Sequence, residues 1–438
     1  MQREITQDLM AWKESPRRKP LLVTGVRQCG KTYIIKRFAQ DQFQNLVYVN
    51  FEESPGLGAI FDYDFDVKRI LAEVELNTRQ KIIPGETLLF LDEIQECPRA
   101  ITALKYFCEN MRELHVACAG SLLGVAIKNE QVSFPVGKVN RMQLRPMSFK
   151  EFVLANGRDD LISVLGGWPI DRPIPDLYAV PMQKLLSEYY AVGGMPEAVK
   201  AWLETHDPSV AASAQDEILQ DYADDFSKHA PAKDVPRIRW IWDSIPVQLA
   251  KDNNKFMFSH VRQGKRSAEL EDALQWLVDA GLIVQLLLAE KPQVPLSGCV
   301  DKTYFKVYMA DIGLLRAMTK VPFDNVMDRP GLFARFKGAF AENYVLNELR
   351  SLGIDPCFWR SGNTAEVDFV YEYNGDIVPV EVKAADNTQA KSYRQFCRKY
   401  APPIGFKLSQ KNIASNMCEE TRTLSVPLYL AWSHGSYL

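Results

Sequence analysis

The sequence predicts an α/β chain. It opens on a doubly wound parallel sheet, passes through helical and winged-helix segments, and closes on a second α/β domain. Three observations carry this. Over residues 1–150, short apolar runs rich in β-formers alternate with helix-like stretches, as in parallel sheets covered by helices on both faces. The glycine-framed segment GVRQCGKT lies between one such run and a helix-like stretch. Near the C-terminus, two alternating runs flank Asn374-Gly375, the strongest short signal for a tight hairpin.

Composition sets the outer limits. At roughly 150 residues per domain, the chain has room for about three domains. We assign 1–150 to the first α/β domain, 151–235 to a helical lid, 236–327 to a winged-helix-like segment and 328–438 to the last domain. Hydrophobic residues make up 47% and charged residues 24%, ordinary for a globular protein. A net charge of -3 gives no global attraction to nucleic acid, so any such contact must come from a local basic face. The eight cysteines form no CxxC pair, which points to reduced thiols in a cytoplasmic protein. No apolar run approaches the ~18 residues that a membrane span needs, so no membrane partner is expected.

The strand-like runs are PLLVTG (20–25), NLVYVNF (45–51), TLLFLDE (87–93) and HVACAG (115–120). After residue 150 they give way to SFKEFVLANG and QKLLSEYYAVGGMPEAVKAWLE, which read as helices. Residues 236–320 are helix-rich and end in two strand-like runs, GLIVQLLL and KTYFKVYMADIGLL, joined by PQVPLSG. A helix followed by a hairpin suggests a winged helix. DRPG (328–331) reads as a linker; a long helix over 332–351 and strands at about 366–373 and 377–383 follow.

GVRQCGKT fits G-x-x-x-x-G-K-[ST] between a strand and a helix, the context a phosphate-binding loop requires. Gly25, Val26, Arg27, Gln28, Cys29, Gly30, Lys31, Thr32 and Tyr33 are the nucleotide-binding candidates. Backbone N–H groups of the loop and the helix N-terminus wrap phosphate oxygens. Lys31 is expected at the β- and γ-phosphates and Thr32 on Mg²⁺. In LLFLDEIQ, apolar residues deliver Asp92 to a strand tip as a Mg²⁺ ligand, and Glu93 follows as the group that polarises the attacking water. ATP and Mg²⁺ are therefore the expected cofactor set, and an adjacent Asp-Glu pair separates hydrolysing machines from kinases. Ser121, at the end of HVACAG, is either a γ-phosphate sensor or a plain strand-ending serine. Lys138, Arg141 and Arg145 are either a source of a trans-acting cationic finger or a solvated basic face.

In AEVDFVYEYNGDIVPVEVKA, a two-residue loop sets Tyr373 opposite Asp376 and hence Asp368 opposite Glu381 and Glu366 opposite Lys383. The same register gathers Val367, Phe369, Tyr371, Val378, Val380 and Val382 on one apolar face. Asp368 and Glu381 then meet with Cβ atoms roughly 5 Å apart, a conflict that a divalent cation resolves. Glu342 shares a helical stripe with Ala339, Leu346 and Leu349. Glu342, Asp368 and Glu381 are thus candidate Mg²⁺ or Mn²⁺ ligands beside Lys383, the layout of a metal-dependent nuclease; a solvated hairpin face with a Glu366–Lys383 pair is the alternative. Lys391, Arg394, Arg398 and Lys399 either follow a nucleic-acid backbone or form a solvated basic helix. The helix predicted at 267–281 is acidic, with only Lys265 and Arg266 before it; a protein partner or a second copy suits it better than a DNA groove.

Together GVRQCGKT, LLFLDEIQ, LRPMSFKEF, EYYAVGGMPEA, KVYMADIGLL, WRSGNTAEVDFV and PVEVKA resemble a prokaryotic group of AAA+-type ATPases, the AAA_14 group, with a C-terminal domain of the restriction-endonuclease-like, PD-(D/E)XK type. The resemblance implies Lys31 and Thr32 as nucleotide and Mg²⁺ ligands and Asp92-Glu93 as the Walker B pair. It likewise implies Glu342, Asp368, Glu381 and Lys383 as the nuclease-like signature. Lys138 stands where similar proteins tend to carry arginine, which shifts a finger role to Arg141 or Arg145. Ser121 stands where many use asparagine.

Overall fold

A computed structural model describes residues 1–121, 133–251, 255–264, 266–327, 334–362, 365–383 and 391–438. Lys265 and the 328–331 linker lie outside the described residues. The chain divides into two compact units, one of Gln2–Arg145 with Trp276–Leu282, the other of Pro146–Gln275 with Ile283–Leu438. No helix among the described residues is long and apolar enough to cross a membrane.

The first unit holds strands β1 (Leu21–Thr24), β2 (Asn45–Asn50), β3 (Thr87–Asp92), β4 (His115–Gly120) and β5 (Asn140–Gln143) and helices α1 (Ile5–Glu14), α2 (Lys31–Gln42), α3 (Val67–Thr78) and α4 (Pro98–Asn110). The sheet is parallel in the order β2-β3-β4-β1-β5. All four expected apolar runs are strands. Every residue of β3 and β4 is buried, as their near-continuous apolarity requires for central parallel strands. Helices α3 and α4 pack on this sheet through Ile70, Val74, Ile101, Leu104 and Phe107. Asp66 caps α3, accepting from the Lys68 and Arg69 N–H groups, a contact typically worth about 1 kcal/mol. Because β4 lies between β1 and β3, the segments that leave these three strands emerge side by side at one sheet edge.

The second unit contains the helices Asp176–Val192, Pro196–Thr205, Pro208–His229 and Val235–Leu249 and an eight-stranded sheet. That sheet joins β6 (Ile283–Ala289), β7 (Val300–Met309), β8 (Cys357–Ser361), β9 (Ala365–Tyr373), β10 (Asp376–Lys383), β11 (Ile404–Ser409), β12 (Ala414–Cys418) and β13 (Thr421–Pro427). Its order is β12-β13-β11-β10-β9-β8-β6-β7. The hairpin expected as a wing is present as β6–β7, but Leu288 pairs with Phe358 of β8, so segments 236–327 and 328–438 share one sheet.

The run KTYFKVYMADIGLL is strand only as far as Met309; Ile312–Thr319 is helix. Asp311 reverses the pattern by capping that helix through the Leu314 N–H, 2.9 Å, and its other oxygen accepts from the Gly194 N–H, 2.6 Å. Gly194 also accepts from the Met147 N–H, 2.7 Å, and a Cβ there would strike the Met147 backbone. The segments PMSF, GGMPEA and ADIG therefore meet at one buried junction, a structural reason for glycine at 194 that involves no ligand.

Candidate functional site

At the edge where β1 ends, the backbone turns through Gly25 (φ 154°), Gln28 (φ 63°) and Gly30 (φ 94°) before α2 begins at Lys31. A Cβ at Gly25 would run into the Leu144 carbonyl oxygen. Buried Lys31 donates to the Gly25 and Val26 carbonyls, each at 2.9 Å, and so keeps its ammonium at the mouth of the loop. Arg3, which nothing in the sequence singled out, supports the outer side of the loop. Its guanidinium donates to the carbonyls of Cys29, 3.1 Å, and Arg145, 2.6 Å. Tyr33 is 58% exposed, so its ring is open to solvent just past the loop.

Across the edge, Thr32 Oγ1 donates to Asp92 Oδ2 at 2.7 Å. The Tyr48 hydroxyl of β2 donates to the same oxygen at 3.0 Å, and the Glu93 N–H donates to Oδ1 at 3.1 Å. Burial, helped by neighbouring Glu93, pushes the Asp92 carboxyl above the usual range against the pull of Thr32 and Tyr48. The Thr32 hydroxyl and the Asp92 carboxylate therefore converge as hard oxygen donors, the set that Mg²⁺ prefers. Glu93 sits in the left-handed region, φ 48°, which turns its carboxylate away from the strand path. Gln95 Nε2, at 2.7 Å, and Ser121 Oγ, at 3.2 Å, both donate to Glu93 Oε2. Tyr48 and Gln95 were not foreseen; a lone hydroxyl-bearing residue inside the apolar run NLVYVN was the available signal for the first.

The finger candidates separate by their neighbours. Lys138 is paired with Glu109 at 2.9 Å. Arg145 contributes its carbonyl to Arg3. Arg141 is exposed on β5, the edge strand, with its guanidinium 4.4 Å from the Phe134 ring centre.

In the second unit the hairpin forms in the expected register, with Tyr373 opposite Asp376 and Phe369 opposite Val380. The six apolar residues of its inner face are all buried. One step further the strands part, and Asp368 Oδ2 accepts from the Val382 N–H at 2.7 Å. Lys383 Nζ lies 2.6 Å from Glu381 Oε1. The cluster also includes residues the sequence did not single out. From β7, the Tyr308 hydroxyl donates to Glu342 Oε2 at 2.7 Å. Lys306 Nζ lies 2.6 Å from Glu366 Oε1 and 3.8 Å from Glu342 Oε2.

Burial, followed by the Glu381 and Glu342 charges, holds the Asp368 carboxyl well above the usual range. Burial also lifts Glu381, against the pull of Lys383. Burial alone would depress Lys306, but the acids around it outweigh that and hold its ammonium well above the ordinary value. Glu342, Asp368 and Glu381, the expected metal ligands, lie within electrostatic reach of one another; among the described residues no three His, Cys, Asp or Glu side chains are grouped to hold a metal ion as they stand. Two lysines neutralise these carboxylates instead, and the arrangement does not fit a divalent ion. On the basic helix Lys391–Tyr400, Arg398 and Arg394 both approach Glu419 Oε1, at 3.0 and 4.0 Å, which takes two of its four cations toward one carboxylate.

A glycine loop that turns into a helix, a lysine on its carbonyls and an acidic pair at a strand tip two strands away define the first unit as a P-loop ATPase. Residues 17–153 match the family AAA_14, described as an AAA domain, so the chain carries an AAA-type ATPase domain. Residues 183–325 match a domain of unknown function, DUF8612, and 337–429 another, DUF4143. No curated protein matches the chain. Among solved structures, it is similar to a Walker-type ATPase of Pyrococcus abyssi at 14% identity and TM-score 0.45, over 72% of this chain and 95% of that one. It is also similar to the ORC2 protein of Aeropyrum pernix, described as ADPNP-ADP complexes, at 13% identity and TM-score 0.35, over 75% of this chain and 95% of that one.

Proposed function

We propose that the chain is a Mg²⁺-dependent ATP hydrolase of the AAA+ type whose nucleotide cycle is coupled to a C-terminal nuclease-like module. The observation that carries the reading is the convergence of Thr32 on Asp92 at 2.7 Å beside a carboxylate, Glu93, held by Gln95 and Ser121. Loop amides from Gly25 to Tyr33 bind the phosphates, and Lys31 turns from the loop carbonyls to the β- and γ-oxygens. Thr32 and Asp92 hold Mg²⁺, which when bound neutralises charge on the phosphates. Glu93 takes the proton of the attacking water, and Ser121 keeps that carboxylate aimed. Arg141, exposed on an edge strand, is the residue best suited to reach a neighbouring copy as a finger.

For the C-terminal module, the strand-hairpin-helix-strand order from β8 to β11 and the meeting of Glu342, Asp368, Glu381 and Lys383 support the nuclease-like reading of its fold. A second reading of its activity has a specific observation behind it: Lys306 and Lys383 compensate the carboxylates, which favours a catalytically silent module that binds protein or nucleic acid. The test is incubation of the purified chain with DNA and with RNA, with Mg²⁺ or Mn²⁺, with and without ATP. Binding without cleavage is expected. Cleavage lost in Glu381→Ala or Lys383→Ala would restore the nuclease.

A further inference from the structure

Lys306 is 1% exposed, on a strand whose residues 305–309 are all buried. Besides Glu366 and Glu342, its ammonium faces the Phe358 ring, 5.1 Å from the centre. The strand that carries it is clamped. Buried Asn343, next to Glu342, accepts from the Met309 N–H at 2.8 Å and donates to the Met309 carbonyl at 2.9 Å. Lys306 therefore cannot reach water without parting β7 from the helix Ala334–Ser351. Elsewhere in the cluster Glu381 Oε2 is buried and, among the described residues, has no hydrogen-bond partner.

We propose that Lys306 is a built-in counter-cation standing in for a divalent ion, so that the carboxylate cluster accepts Mn²⁺ or Mg²⁺ only when this ammonium is removed. The physics is charge balance at low dielectric. Glu381 is buried and Glu342, Glu366 and Asp368 are half-buried, and carboxylates withdrawn from water need positive charge nearby. An ammonium fixed on a strand supplies it without assembling an ion and its waters. A divalent ion brought beside that ammonium meets strong repulsion, because little water screens the pair. Removing the charge leaves the Glu342 and Glu366 oxygens without their ammonium while Lys383 stays on Glu381, and hard oxygens short of positive charge are the setting in which Mn²⁺ or Mg²⁺ is taken up.

The inference rests on the second reading of the C-terminal module, and the two fail differently. Metal-dependent cleavage abolished by Glu381→Gln sinks that reading, whereas a metal titration without nucleic acid tests the counter-cation alone. Mn²⁺ binding is measured by electron paramagnetic resonance on the full chain without nucleotide, for wild type, Glu381→Gln, Lys306→Met, Lys306→Arg and the double variant Lys306→Met/Glu381→Gln. Wild type and Glu381→Gln are expected to bind equally. Lys306→Met is expected to gain about one Mn²⁺ per chain, the double variant to lose it, and Lys306→Arg to gain none. A wild-type ion that disappears in Glu381→Gln overturns the proposal. So does a folded Lys306→Met with no extra ion, or an equal gain in Lys306→Arg. If Lys306→Met fails to fold, the comparison of wild type with Glu381→Gln decides.

Discussion

Thr32 Oγ1 and Asp92 Oδ2 meet at 2.7 Å, which joins the first turn of α2 to the tip of β3 across an intervening strand. Tyr48 completes the contact from β2 at 3.0 Å. Because Asp92 is 1% exposed, a lost donor is not replaced by bulk water. Tyr48→Phe is therefore expected to destabilise the first unit by about 1 kcal/mol and to raise the Mg²⁺ concentration needed for half-maximal ATP turnover. Denaturant unfolding and a Mg²⁺ titration of the rate check both effects. An unchanged Mg²⁺ requirement would remove Tyr48 from the ion's surroundings.

Gln95 positions the Glu93 carboxylate at 2.7 Å and touches none of the phosphate-loop residues in its hydrogen bonding. Gln95→Ala is expected to lower kcat by roughly tenfold, equivalent to about 1.4 kcal/mol of transition-state stabilisation, while KM for ATP stays constant. Steady-state kinetics separate the two constants. A faster enzyme would mean that Gln95 restrains Glu93 rather than aiming it.

His434 gives the second unit an acid-sensitive core. Its Nδ1 faces the Ala431 carbonyl at 2.8 Å and its Nε2 faces the Tyr371 hydroxyl at 3.1 Å, which suits a neutral ring with the proton on Nδ1. Burial drops its pKa from 6.5 to about 4. Between those values the unfolded chain binds the proton and the folded one does not, so stability falls as pH drops from 6.5 toward 4. The loss is roughly 3 kcal/mol at the lower end. Melting temperature followed over that range should fall, and His434→Gln should flatten the slope. A slope that survives the substitution would assign the acid sensitivity to other groups.

Much of the nucleotide site was legible because it is local. The Gly25 to Thr32 spacing and the apolar run before Asp92 each lie within one strand and its exit, so their geometry follows from the segment alone. The hairpin was legible for a similar reason, since Asn374-Gly375 fixes the register out to Phe369 and Val380. What was missed depends on strand order. Tyr48 reaches Asp92 because β2 lies beside β3. Lys306 reaches Glu366 from β7, and the sequence placed that run in a separate wing. KTYFKVYMADIGLL was read as a single strand because the capping role of Asp311 was not weighed against the apolar pattern.

Lys31 is expected to carry ATP binding and Glu93 the hydrolytic step. The direct measurement is ATP binding by calorimetry together with steady-state turnover for wild type, Lys31→Ala and Glu93→Gln. Lys31→Ala is expected to lose both. Glu93→Gln is expected to bind ATP with Mg²⁺ as wild type does and to turn over slower by roughly 10²-fold or more. Wild-type turnover in either variant would place that residue outside the catalytic machinery.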